Sequence, residues 1–352
     1  MSAPGRCRTG RWALLGNGLA LLALLLGSQA LARGPLPWSP AAWSMPGTEE
    51  VVLVTAGFLF LGLGFLTPLH AGLVNLAIFP QFLAGFALAA CVTQLTGIQP
   101  GARGGLALLA GAAAGAALGA LVAWLRRRFA VHEVLSGLLL GGALMPAARV
   151  LAVAPSTPPA LTLQLSLITD PLHLGPALAL PRQLVLAWGI LLLSLGLVLA
   201  LLFAHFLRAS TPGLELRVLG ANPLAAIASG VNVDRVRLLA MSAGGACGGL
   251  CGALQLWTQP AVALERWPLP LAFAGITIVC FALGSIRGLI ALAVILAVWL
   301  TAPGTLAVLE VPALGTGVAL LLVLPVLWVL PRAAPDQGAP RSAWRTRHRD
   351  PF

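Results

Sequence analysis

The sequence predicts an all-α polytopic membrane protein of about ten transmembrane helices, with both termini on the cytoplasmic side. Three observations carry this reading. The 352 residues are 59% hydrophobic and only 9% charged, with a mean hydropathy of +0.95, whereas a soluble domain carries about 25% charged residues. Apolar runs of roughly 18 to 25 residues recur along the chain, long enough to span as helices that satisfy their own backbone in lipid. The basic residues are also placed unevenly. There is no Lys, and with successive runs crossing in alternation sixteen arginines fall on one side. Only Arg33, Arg103, Arg182 and Arg266 fall on the other, with Arg149 inside a span. That asymmetry makes the arginine-rich side cytoplasmic. The net charge of +11 therefore has a topological cause, and no nucleic-acid partner is expected.

The elements follow in order. Residues 12–31 form the first apolar run, behind Arg6, Arg8 and Arg11. It ends in Ala30-Leu31-Ala32, which resembles a signal-peptidase site. Cleavage or retention leaves residue 33 outside, so cleavage only lowers the span count to nine. Retention is the reading adopted, because multi-span proteins seldom need a cleaved signal. Residues 34–50 are rich in Pro and Trp, with Trp38 and Trp43 suited to the membrane interface. Spans are expected at about 51–69 and 72–96, with His70 in the turn between them and Asn75 and Gln81 on the second. Gly111, Gly115 and Gly119 then form a small-residue ridge that admits another helix closely. Arg126, Arg127 and Arg128 stop that span on the inside.

The run at about 131–153 opens with His132 and Glu133, read as a charged helix boundary. Residues 154–181 hold six prolines and are expected as an irregular external loop. A span at about 183–206 leads inward, and one at about 238–257 carries a second ridge, Gly244, Gly248 and Gly252. Spans at about 269–286 and 288–303 are joined by a tight turn at Ser285 and Arg287, and the last lies at about 314–330. The expected organisation is a basic segment with the first span or signal (1–33), a transmembrane domain (34–330) and a disordered basic tail (331–352). The five cysteines lie mostly in apolar runs without His beside them and read as buried thiols.

The longest polar insertion, residues 208–237, is written as two short capped helices. Thr211 is placed as an N-cap, Pro212 at the first helical position, and Gly220 as a left-handed stop. The punctuation repeats with Asn222, Pro223 and Gly230, and Asp234 is expected to cap the next run. Small side chains at Ala225, Ala226 and Ala228 would let the second helix seat in a partner's groove. Leu224 and Ile227 would anchor it, at roughly 1.5–3 kcal/mol each if fully buried.

Several chemistries are excluded. A nucleotide-binding loop needs a Lys the chain lacks. H-E-x-x-H, clustered Cys/His ligands and G-x-S-x-G are absent. The acids lie in loops or at span ends, whereas ion-coupled carriers keep ionisable groups in mid-membrane. A permeation path would be lined by neutral groups such as Asn75, Gln81, Gln94, Gln255 and Thr277. Energy for transport is thus expected from another subunit. No enzyme activity and no cofactor are expected of this chain.

Residues 213–254, GLELRVLGANPLAAIASGVNVDRVRLLAMSAGGACGGLCGAL, resemble the cytoplasmic-loop signature of ABC importer permeases for branched-chain amino acids, simple sugars and nucleosides. The nucleoside/simple-sugar branch is the nearest match. GLVNLAIFPQFLAG (72–85), HEVLSGLLL (132–140) and FALGSIRGLIAL (281–292) resemble further segments of that branch. Two departures stand out: the family's Gly-x-Glu-Gly reads Ala77-Ile78-Phe79-Pro80, and its later Pro-x-Gly reads Gly288-Leu289-Ile290. The resemblance implies a permease subunit of an ATP-driven importer in the bacterial cytoplasmic membrane, taking a nucleoside or simple sugar. It implies a homologous second permease, an ABC ATPase that carries ATP and Mg, and an external solute-binding protein. It also implies an ATPase-docking loop with Glu215, Gly220, Asn222, Pro223, Ala225, Ala226, Gly230 and Asn232, and a path lined by Asn75 and Gln81. A structural or assembly membrane protein that has lost transport is the alternative from another class, and a secondary carrier is a third.

Overall fold

The computed structural model describes residues 48–93, 95, 99–153, 182–255, 268–282 and 284–301, and these form an all-helical bundle. The elements are α1 (Thr48–His70), α2 (Ile78–Thr93), α3 (Pro100–Phe129), α4 (Glu133–Val153) and α5 (Arg182–Ala209). There follow α6 (Thr211–Ala221), α7 (Pro223–Ala228), α8 (Val233–Leu254), α9 (Pro268–Phe281) and α10 (Ile286–Thr301). Among the described residues, four stretches are long and apolar enough to cross a membrane: Val51–His70, Gly101–Phe129, Leu186–Ala209 and Val233–Leu254. The expected first and last spans, the Pro-rich loop and the tail lie outside the described residues.

Most expected spans appear as helices within a few residues, because long apolar runs in lipid have no better way to pair their backbone. One differs. The stretch expected as a span from residue 72 is helical only from Ile78, and residues 71–77 run as turns and irregular backbone. The amides of Ala71 and Leu73 both turn back onto the Pro68 carbonyl, at 2.9 and 3.0 Å, and Gly72 takes φ +71°. This is a conformation that residues with a β-carbon adopt at a cost.

Helix α8 sits at the centre, packed on α1, α2 and α3, while α1 is flanked on its other side by α5, α9 and α10. Both glycine ridges are packing faces, yet they do not face each other. Gly115 of α3 lies against Gly245 and Gly249 of α8; a β-carbon built there would sit 2.7 Å from the Gly249 nitrogen. The ridge Gly244, Gly248 and Gly252 faces about 100° to one side of that contact, toward Gly64 and Pro68, Ile78 and Gln81, and Phe82 respectively. Helix α8 is therefore glycine-faced on two sides. A larger core of Phe58, Phe60, Phe82 and Phe86 with α9 and α10 residues fills one part of the bundle. A second core joins α3, α5, α6, α7 and α8 to residues 71–77.

Candidate functional site

The polar insertion folds as the two helices expected, with two changes at the ends of the first and a third at the cap of the helix that follows. Ser210, not Thr211, is the N-cap of α6: its Oγ accepts from the Gly213 amide at 3.0 Å, and Pro212 fits in the first turn. Gly220 is helical rather than left-handed, and its hydrogen lets α6 press on the His70 carbonyl, where a β-carbon would collide. Asn232, not Asp234, caps α8 by accepting from the Arg235 amide at 3.0 Å. Asp234 instead pairs with Arg127 of α3 at 3.2 Å.

Helix α7 is fixed at both ends. The Asn222 side chain accepts from the amides of Leu224 and Ala225 at 3.0 and 3.1 Å, and Pro223 supplies a preset φ. At the other end the Gly230 amide donates to Ile227 and the Val231 amide to Ala226, both at 3.0 Å, with Gly230 at φ +78°. This is a Schellman stop, which satisfies carbonyls that the helix end would leave bare. Six residues held this way present one face inward and one outward. Ala226 is 0% exposed and belongs to the chain's own core. It is buried within this chain, so it is not free to supply the seating face expected of it. Leu224 and Ile227 are 75% and 59% exposed, Ala225 and Ala228 are exposed beside them, and Glu215 is half-buried on α6.

The second feature lies where α1, α2 and α8 meet. Asn75 and Gln81 are both 0% exposed. Six residues apart on one ideal helix they would point about 120° away from alignment. Asn75 lies before α2 begins, and the two amides meet: Asn75 Nδ2 donates to Gln81 Oε1 at 3.0 Å, and Gln81 Nε2 returns to Asn75 Oδ1 at 3.3 Å. Asn75 Nδ2 also donates to the Gly64 carbonyl of α1 at 3.1 Å. That carbonyl is open because Pro68, four residues on inside α1, has no amide hydrogen to give it. The residues missing from the sequence reading are thus Pro68 and Gly64. A proline in an apolar run with an Asn shortly after it is the signal that points to them.

Gln255 and Thr277 are buried as well, and Gln94 lies outside the described residues. Phe79, at the position of the family's acid, packs on Gly141 of α4. Leu289, within the second departure, is buried against Gly62 of α1. Glu133 is buried, pairs with Arg126 and lies 3.5 Å from His132 Nδ1, closing the α3–α4 corner at the left-handed Ala130. That is the charged helix boundary expected.

These features define a multi-pass helical membrane protein with a rigid polar helix pair at one end of its bundle. Comparison with known proteins gives the family. Residues 47–327 match the branched-chain amino acid transport system / permease component, and the chain belongs to that family. It is a permease subunit of an ABC transporter and not an enzyme, and such permeases work in a membrane with an ATPase and a substrate-binding protein. The guanosine ABC transporter permease protein NupP of Bacillus subtilis (strain 168) is 26% identical over 312 residues, which is 85% of this chain and 84% of that one. This likeness falls in the nucleoside branch that the motifs resemble. No solved structure matches.

Proposed function

We propose that this permease forms half of the translocation path of an importer for a nucleoside, and docks its ATPase through residues 208–237. The observation that carries the docking is the pair Leu224 and Ile227. Two large apolar side chains stand exposed on a helix whose ends are both fixed and whose other face is locked into the bundle. Exposed apolar groups on a rigid polar-end element are costly in water and suit a partner's groove. The solute reading rests on the likeness to a guanosine permease, with a simple sugar as runner-up. The arginine asymmetry supports ten spans in a bacterial cytoplasmic membrane, with α6 and α7 and both termini on the cytoplasmic side. ATP and Mg would be held by the ATPase, and a second, homologous permease would complete the path.

The double variant Leu224→Asp with Ile227→Asp tests the docking. Both side chains are exposed, so the chain should still accumulate in the membrane. Retention of the ATPase on purification should fall at least about tenfold, the scale on which two buried anchors act. Normal retention would remove the loop from the docking role. Uptake of labelled guanosine and ribose by cells with the whole transporter tests the solute.

A further inference from the structure

Helix α1 contains a break in its hydrogen-bond ladder at Pro68, and what fills that break is not local to α1. The Gly64 carbonyl takes its hydrogen bond from Asn75, across the turn at residues 71–77, and Asn75 is held by Gln81 of α2. Helix α8 leaves room for the arrangement. A β-carbon on Gly244 would come within 2.8 and 2.9 Å of the Pro68 ring, and one on Gly248 within 3.3 Å of Gln81. With both amides fully buried, each bond made here has no water to replace it. On the other side the same turn meets α6. A β-carbon on Gly220 would lie 3.1 Å from the Gly72 nitrogen, and one on Gly72 would lie 3.3 Å from the Gly220 Cα. Ala71, Leu73 and Ala77 share a core with Leu216, Leu219 and Ala226 of α6 and α7. The polar helix pair therefore touches, backbone to backbone, the turn that hangs between Pro68 and Asn75.

We propose that Asn75 and Gln81 are positioning residues for translocation: they clamp a proline hinge in α1, and α6 and α7 work that hinge through the Gly220–Gly72 contact. The proposal rests on the docking reading above. A displacement of α7 moves α6, and Gly220 carries the turn at residues 71–77 with it. With the clamp closed, the turn holds the Gly64 carbonyl at one end and Gln81 at the other. Its movement then bends α1 at Pro68 and takes the start of α2 along as one body. With the clamp cut, the turn moves and α1 does not follow.

The test uses the assembled transporter with spin labels at Val51 of α1 and Gly101 of α3, neither on the moving helix pair, comparing the nucleotide-free and ATP-trapped distances. Asn75→Leu should keep the ATPase bound and hydrolysing, while the fraction of molecules that change distance falls about fivefold or more. Gln81→Met keeps the Asn75 bond to Gly64 and carries the test if Asn75→Leu does not accumulate; it should show a smaller loss in the same direction. Pro68→Ala restores an amide donor for Gly64, and by stiffening the hinge should also reduce the change with both amides intact. An ATP-driven change of wild-type size in Asn75→Leu, or in Gln81→Met where Asn75→Leu does not accumulate, overturns the clamp. So does loss of the distance change only in proportion to lost ATPase, since a merely structural role would act that way. Failure of the docking reading shows separately, as normal ATPase retention by the Leu224→Asp, Ile227→Asp chain.

Discussion

Gly115 and Gly249 meet backbone to backbone, and a single added side chain would force α3 and α8 apart. Overpacking a well-filled contact costs about 1–3 kcal/mol, and more where backbone rather than side chain must move. Gly115→Leu should therefore abolish accumulation of the protein in the membrane. Gly142→Leu, made where nothing lies within 4 Å, should leave it unchanged. Quantitative blotting of membranes checks both. The ridge on α3 is legible in the sequence because its glycines recur every fourth residue. Its partner is not, because α8 carries glycine pairs at 244–245 and 248–249, so two faces fit the pattern equally. Asn75 was legible as a buried polar group. Its bonds were not, since they depend on a turn that replaces the expected helix.

Among the elements, α7 is the one whose form follows most directly from local chemistry. Asn222, Pro223 and Gly230 each take the position their backbone preferences dictate. The cap of α6 was misplaced by one residue and that of α8 by two. Ser and Thr, or Asn and Asp, serve almost equally as caps, so the path of the backbone selects between them. Asn222→Ala removes the acceptor for two amides and should cost about 1 kcal/mol. A six-residue helix has little else to hold its first turn, so ATPase retention should fall severalfold with the protein level unaffected. Asn222→Asp should restore it. Measuring the ATPase-to-permease ratio in purified complexes distinguishes the two variants.

The whole molecule turns on which end of the bundle faces the cytoplasm. Arg126 with Glu133 and Arg127 with Asp234 tie α3, α4 and α8 together at the end that also carries α6 and α7. Under the proposed orientation, a cysteine at Gly101 in a cysteine-free background should react with an impermeant thiol reagent from outside. One at Ala221 should react only in inverted vesicles. Both positions are exposed, so access and not burial decides the result. Labelling of Ala221→Cys from outside would reverse the orientation. The fold class was legible at this scale because composition and charge placement act over the whole chain. The central position of α8 was not, because it depends on which helices meet.

Helix α8 combines the central place in the bundle with five glycines and the least apolar character of the four long spans. Each glycine lowers helix propensity by about 1 kcal/mol relative to Ala, so α8 leans on its neighbours for its shape. This has a consequence for biogenesis. Helices α1, α2 and α3 leave the ribosome well before α8 and are in place to receive it. If the chain is expressed as two pieces divided within residues 154–181, the second piece made alone should be degraded or fail to integrate at α8. Co-expression of the first piece should rescue it, as read by protease protection of a tag placed after Leu254. Stable integration of the second piece alone would mean that α8 enters the membrane unaided.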